Sequence, residues 1–215
     1  MEDIQNRIKA LRIVPVVIID DAAKAGPLAE SLLAGGLPCA EVTFRTAAAA
    51  ETIQKLTKYK DLLLGAGTIL TVDHVKAAVD SGALFIVSPG FNPKVVGYCV
   101  DHKIPVFPGI CTPTEIEMGL EFGLDVFKFF PAESFGGLKT LKAVSAPYGL
   151  VKFIPTGGIH ERNICDYLAF NKVIACGGSW MVPRELISEG RFREITQLVT
   201  DAVTIVKKAG QVSHR

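Results

Sequence analysis

Lys128 sits where apolar sequence leaves little room for a charge. The run Asp125-Val126-Phe127-Lys128-Phe129-Phe130-Pro131 reads as a short buried strand with a lysine at its middle. Side chains alternate along a strand, so Val126, Lys128 and Phe130 share one face while Phe127 and Phe129 share the other. An ammonium ion is costly to bury, and burial favours the neutral, nucleophilic amine. That form adds to a carbonyl carbon and makes a Schiff base. The ordinary alternative is a lysine that reaches out of a strand end or pairs with a carboxylate.

A second stretch carries complementary groups. Cys39 to Arg45 alternates so that Glu41, Thr43 and Arg45 share one face, and Ala40, Val42 and Phe44 the other. The apolar face suits a covering layer of helices, which turns the charged face inward. Glu41 and Arg45 lie four residues apart on a strand, roughly 13 Å, too far for a direct salt bridge. Glu41, facing Lys128 across an interior, is a candidate general acid or base. Arg45, nearer the strand end, has the fork that grips a carboxylate in two places. A structural ion network around a barrel mouth would use the same two residues.

Glycines mark the remaining candidate positions. Leu64-Gly65-Ala66-Gly67-Thr68 lacks the third glycine of a dinucleotide fingerprint. Its small residues let a substrate approach the backbone, and Thr68 offers a hydroxyl. Ser88-Pro89-Gly90 and Pro108 to Thr112 end two further strands and read equally well as turns. Thr156-Gly157-Gly158-Ile159 and Gly177-Gly178-Ser179 follow the last two strands, where parallel barrels hold phosphate on backbone N–H groups. Gly136-Gly137 can add donors. Paired glycines also simply turn corners; two pairs at the two expected positions favour an anion site.

These residues need a scaffold that gathers strand ends. After an amphipathic helix over 2–12, carrying Ile4, Ile8 and Leu11, strand and helix signals alternate. Strands start near Ile13, Cys39, Leu62, Leu84, Ile104, Asp125, Val151 and Lys172, at spacings of 20 to 26 residues. Helices are expected over 22–34, 46–58 and 71–81, then from Asn92-Pro93 and from the capping box Thr112-Pro113-Thr114-Glu115. Others are expected over 138–145 and 162–170, with one or two more across 184–208. Alternating strands and helices imply right-handed crossovers and a parallel sheet, and apolar strands fit a sheet covered by helices. Eight units are the number that closes a barrel whose site lies at the C-terminal strand ends. The expected fold is α/β, a single-domain (β/α)8 TIM barrel over residues 1–215 with an extra N-terminal helix. An open doubly wound sheet is the competing arrangement, because periodicity counts units without fixing closure.

At 215 residues and 49% hydrophobic content the chain is long enough for one sizeable core. A formal net charge of +1 without basic or acidic blocks points away from nucleic acid and anionic membranes as partners. No apolar run approaches the roughly 20 residues of a membrane span. The first residues lack the basic start and apolar core of a signal peptide, so the expected location is the cytoplasm. Cys39, Cys99, Cys111, Cys165 and Cys176 contain no Cys-x-x-Cys pair and read as reduced packing residues. His74, His102, His160 and His214 show no ligand spacing, and no metal site is expected.

Taken together, six runs resemble the class I 2-keto-3-deoxy-6-phosphogluconate (KDPG) aldolases. They are Glu41-Val42-Thr43-Phe44-Arg45-Thr46, Gly65-Ala66-Gly67-Thr68, Ser88-Pro89-Gly90, Phe127-Lys128-Phe129-Phe130-Pro131-Ala132-Glu133, Pro155-Thr156-Gly157-Gly158-Ile159 and Gly177-Gly178-Ser179-Trp180. They occur in family order and span nearly the whole chain. The resemblance implies a homotrimer of small barrels in Entner–Doudoroff carbohydrate metabolism. Its substrate would be KDPG, a phosphorylated 2-keto acid, cleaved to pyruvate and D-glyceraldehyde 3-phosphate with neither metal nor organic cofactor. It implies Lys128 as the Schiff-base lysine, Glu41 as the acid/base, and Arg45 and Thr68 as holding the pyruvyl part. Phosphate would lie on the glycine loops, with Pro89, Phe130, Thr156, Gly157, Gly158, Gly177, Gly178 and Ser179 in the substrate-binding set. Family members also cleave 4-hydroxy-2-oxoglutarate to pyruvate and glyoxylate, and some decarboxylate oxaloacetate.

Three other readings use the same features. An aldolase for the galactonate-derived substrate differs by the stereochemistry of one hydroxyl. A metal-free phosphosugar isomerase or decarboxylase on the same barrel needs the phosphate loops but no buried amine. A non-catalytic binder of phosphate ligands would tolerate Glu41→Gln. A covalent imine separates the aldolases from the other two.

Overall fold

The computed structural model describes residues 2–212. Met1 and residues 213–215, and with them His214 and the outer bounds of the expected 1–215 domain, lie outside the described residues. Among the described residues nine short strands are interspersed with helices, and only the fifth and sixth follow each other directly. They are β1 (Ile13–Val17), β2 (Cys39–Thr43), β3 (Leu63–Gly67), β4 (Phe85–Val87), β5 (Val106–Phe107), β6 (Gly109–Ile110), β7 (Val126–Phe129), β8 (Lys152–Pro155) and β9 (Cys176–Gly178). The helices are α1 (Glu2–Leu11), α2 (Ala25–Ala34), α3 (Ala49–Leu56), α4 (Val72–Asp80), α5 (Pro93–Asp101), α6 (Pro113–Glu121), α7 (Gly137–Ser145), α8 (Ile164–Leu168), α9 (Arg184–Glu189) and α10 (Phe192–Val212).

The strands form a parallel, curled α/β sheet arrangement in two pieces. Six run in the order β5-β4-β3-β2-β1-β9 and three in the order β6-β7-β8. The expected fifth strand is split at Pro108, which has no N–H to give to a ladder. Its first half ends against β4, where the Ser88 N–H donates to the Phe107 carbonyl at 3.4 Å. The chain then turns its carbonyl the other way, and Pro108 accepts from the Lys128 N–H at 3.0 Å. The expected strand from Lys172 is regular only over Cys176–Gly178. Single parallel bridges, Phe153↔Val173 and Thr156↔Gly177, join its segment to that of β8. The expected eight strands of one sheet are therefore nine strands of two sheets.

Local chemistry sets the helix starts. The Asn92 side chain accepts from the Lys94 N–H ahead of Pro93, and Thr112 and Glu115 form a reciprocal capping box on α6. Apolar packing occurs in two layers. An inner cluster of Val14, Cys39, Leu63, Phe85, Val87, Phe107, Val126, Ile154 and Ala175 gathers between the strands, and α1 lays Ile4 and Ile8 onto it. An outer, larger cluster lies between strands and helices, with α10 packed on α2 and α8. Fully burying an isoleucine such as Ile8 contributes on the order of 1.5–3 kcal/mol, so α1 is fastened as a plug rather than left as a tail.

All five cysteines are free. Burial pushes the Cys99 thiol up to about 12 and those of Cys39 and Cys176 well above the ordinary range, which keeps them unreactive. Among the described residues no helix is long and apolar enough to cross a membrane.

Candidate active site

Strand register brings the two charged interior residues to one level. Glu41 pairs with Val16 on one side and Gly65 on the other, while Lys128 pairs with Gly109 and Ile154. Their side chains meet across the interior, where Lys128 Nζ donates to Glu41 Oε1 at 3.4 Å. Lys128 is 5% exposed and Glu41 3%. The Phe130 ring lies 5.0 Å from the ammonium, so an aromatic face supplements the carboxylate. Such a pair stands only because each charge compensates the other; either alone would be stranded in a low-dielectric interior.

Two cavities adjoin this pair. The inner one, about 10 Å³, is lined by Lys128 and Glu41 with Ile8, Phe85 and Phe107 among the apolar walls. That is no more than one water occupies. The outer one, about 180 Å³, opens at the C-terminal strand ends. It is lined by Arg45, Phe130, Thr156, Gly157, Gly158, Gly177, Gly178 and Ser179, all expected in the substrate-binding set. Thr156 lines both and is the threshold between them. Lys128 and Glu41, drawn onto each other, lie on the inner side of that threshold.

Of the remaining expected residues, Thr68 is tied to the outer cavity through Arg45, whose Nε donates to Thr68 Oγ1 at 3.3 Å. Thr68 holds a φ of 56°, a left-handed conformation that costs a side chain with a Cβ about 1–2 kcal/mol. Backbone strain of this kind persists only where the surroundings enforce it. Pro89 lines neither cavity; its carbonyl lies where a Cβ on Gly109 would stand. The structure thus gathers every expected site residue but Pro89.

The glycines divide by role. Gly157 and Gly158 hold φ values of 99° and 79° and give the loop a turn that other residues resist. Gly65 and Gly67 make room for protein rather than substrate: a Cβ on Gly65 would enter the Phe85 ring and one on Gly67 the Glu41 carboxylate. Gly177 likewise makes room for the Thr156 hydroxyl and Gly178 for the Trp180 ring. Ile159, the last residue of the expected loop run, also lines the outer cavity, as do Val16 and Ile18, which were not foreseen. Val14 and Val16 share one face of β1 and Ile18 continues their alternation just past its end, a signal hidden because every neighbour in that run is apolar too.

The arrangement suits imine chemistry. A buried amine in contact with a carboxylate has a proton acceptor within one hydrogen bond, which is the pairing that an imine-forming lysine requires. A guanidinium and two glycine loops line the same outer cavity, so it offers separate groups for a carboxylate and for a second anion on one ligand.

Comparison with known proteins yields one consistent result. A family profile described as "KDPG and KHG aldolase" matches residues 4–198. The chain is 49% identical over 207 residues to the 2-dehydro-3-deoxy-phosphogluconate aldolase of Treponema pallidum, covering 96% of this chain and 99% of that protein. A crystal structure of the Zymomonas mobilis 2-keto-3-deoxy-6-phosphogluconate aldolase with 3-phosphoglycerate superposes with a TM-score of 0.89 at 38% identity, covering 95% and 97% of the two chains. The KDPG aldolase of Legionella pneumophila, with pyruvate captured as a covalent carbinolamine intermediate, superposes with a TM-score of 0.88 at 39% identity over 92% and 96%.

Proposed function

The chain belongs to the KDPG and KHG aldolase family, and on that premise we propose that it cleaves 2-keto-3-deoxy-6-phosphogluconate to pyruvate and D-glyceraldehyde 3-phosphate through a Schiff base on Lys128. It is a lyase, since its relatives are named aldolases. The observation that carries the residue assignment is the buried contact of Lys128 Nζ with Glu41 Oε1 at 3.4 Å, one threshold residue away from a cavity that ends in glycine loops.

The steps follow from the parts. A proton passes from Nζ to Glu41, and the neutral amine adds to the C2 ketone; Glu41 returns that proton to the carbinolamine hydroxyl, which leaves as water and gives an iminium ion. Glu41, again ionised, takes the C4 hydroxyl proton through a bridging water. The C3–C4 bond breaks, its electron pair moves into the iminium, and the aldehyde leaves the resulting enamine. Protonation at C3 and hydrolysis release pyruvate and restore Lys128. Arg45 holds the carboxylate throughout, with the Thr68 hydroxyl fixed beside it. The phosphate, bound at the loops of Gly157-Gly158 and Gly177-Gly178-Ser179, adds binding energy far from the reacting bond and positions it. The same chemistry accepts 4-hydroxy-2-oxoglutarate, which carries a carboxylate in place of the phosphate-bearing tail.

In this reading the two sheets close as a (β/α)8 barrel, single-domain, and the protein acts as a cytoplasmic homotrimer; family membership supports the last two. An isomerase on the same scaffold would have no use for a buried amine.

The test is borohydride reduction in the presence of pyruvate, followed by intact mass and peptide mapping. One stable adduct on Lys128, absent in Lys128→Ala, is expected. Label spread over surface lysines, or wild-type turnover in Lys128→Ala, would refute the assignment.

A further inference from the structure

A phosphate cradle of backbone N–H groups has no side chain to aim it, so something behind the loop must. In a planar trans peptide the C=O of one residue and the N–H of the next point in opposite directions. Holding a carbonyl on one side therefore turns the following N–H to the other. Behind the loop, the Glu133 N–H donates to the Gly157 carbonyl at 3.0 Å, and Asn163 Nδ2 donates to the Gly158 carbonyl at 3.0 Å. These bonds fix the peptides whose N–H groups belong to Gly158 and Ile159, both on the outer cavity wall. Among the described residues neither N–H has an acceptor.

Each donor is itself held. Asn163 Oδ1 accepts from the His160 N–H at 2.9 Å, which closes a ring around the loop. Glu133 is anchored by the hydroxyl of Tyr167, which donates to its Oε1. Tyr167 is 2% exposed, and burial together with that bond raises its pKa, so the hydroxyl keeps its proton and stays a donor. The Glu133 Cβ and Cγ occupy the space that a Cβ on Gly158 would fill. Asn163 and Tyr167 stand four residues apart, on one face of the α8 turn. Neither touches the cavity, and the reaction as derived uses neither.

We infer that Tyr167, through Glu133, and Asn163 directly are positioning residues that aim the Gly158 and Ile159 N–H groups at the substrate's phosphate, and so set the preference for phosphorylated over unphosphorylated 2-keto acids. The inference rests on the aldolase reading of the site.

The experiment compares the wild type with Tyr167→Phe, which removes one oxygen and keeps the ring, and with Asn163→Ala, at a half-buried position. Each is expected to raise KM for KDPG about tenfold, the loss expected of one hydrogen bond supporting a charged ligand. In each, kcat for KDPG and KM for 4-hydroxy-2-oxoglutarate should stay within about twofold. Stabilisation of the protein by inorganic phosphate in thermal unfolding should weaken in parallel. Glu133→Gln and Glu133→Ala remove the same charge, but only alanine removes the acceptor for Tyr167. Glutamine is therefore expected to bind phosphate at least as well as the wild type, and alanine less well. Equal losses on both substrates, or equal behaviour of Glu133→Gln and Glu133→Ala, overturn the inference. Pyruvate trapping on wild-type Lys128 is run alongside. A trapped adduct with no change in substrate preference sinks the inference alone, whereas no adduct removes its premise and sinks both.

Discussion

At the scale of single residues, the site depends on two charges that the interior accepts only together. Removing one of a buried pair leaves the other unpaired, which costs about 3–5 kcal/mol, whereas replacing both by groups of similar shape is often neutral. Lys128→Met should therefore lower unfolding stability by about 3 kcal/mol and Glu41→Gln by a similar amount. The double variant, equally inactive, should recover most of the loss. Denaturant unfolding of the four proteins measures this as a coupling energy, and simple additivity would mean that the pair is not mutually dependent. Lys128 and Glu41 were legible in the sequence because a charge in an apolar run is costly and local. The glycines were legible only as glycines. That Gly67 exists for the Glu41 carboxylate and Gly65 for the Phe85 ring follows from contacts between separate strands, and no local rule encodes them.

Elements were the most readable level, because their starts are fixed by chemistry within one turn. The α6 capping box is the clearest case. Glu115 accepts from the N–H groups of Cys111 and Thr112 at 2.8 and 2.9 Å and from the Thr112 hydroxyl at 2.8 Å. Burial by itself would raise its pKa; the hydrogen bonds outweigh it, and the value lies below the ordinary 4.5. A carboxylate with a depressed folded-state pKa contributes stability that is fully present above its unfolded value and is lost as pH falls through the folded one. Glu115→Gln should thus cost about 1 kcal/mol at neutral pH, the usual worth of such a cap. The gap from wild type should close as the pH drops from 4.5 through the lowered value. Denaturant midpoints taken across that range decide it, and a gap independent of pH would show that the carboxylate's charge is immaterial. The break at Pro108 was less legible, since proline ends a ladder only on the side where its N–H would have been needed, and the sequence does not say which neighbour lies there.

For the whole molecule, the open question posed by periodicity was closure, and it is a question about edges. An open sheet ends in strands with one row of N–H and C=O groups unpaired, whereas a closed ring has none. Here the places where an edge would show are the seam between β8 and β9 and the step at Pro108. Both carry backbone bonds: Phe153 N–H to the Lys172 carbonyl at 2.8 Å, Ile174 N–H to the Phe153 carbonyl at 3.1 Å, and Lys128 N–H to the Pro108 carbonyl at 3.0 Å. If the ring is closed, these amides open only when the barrel does, because releasing one seam would expose the inner cluster on which Ile8 and the Lys128–Glu41 pair rest. Native-state hydrogen exchange should then show Phe153, Ile174 and Lys128 protected as strongly as Val42 in β2, which lies between β1 and β3 at the middle of the larger sheet. Exchange at Ile174 and Phe153 at the rate of frayed ends, with Val42 still slow, would make that seam a true edge and favour the open sheet. The active site depends on the outcome, since an amine and a carboxylate reached from opposite walls stay in register only in a ring that holds both walls at a fixed distance.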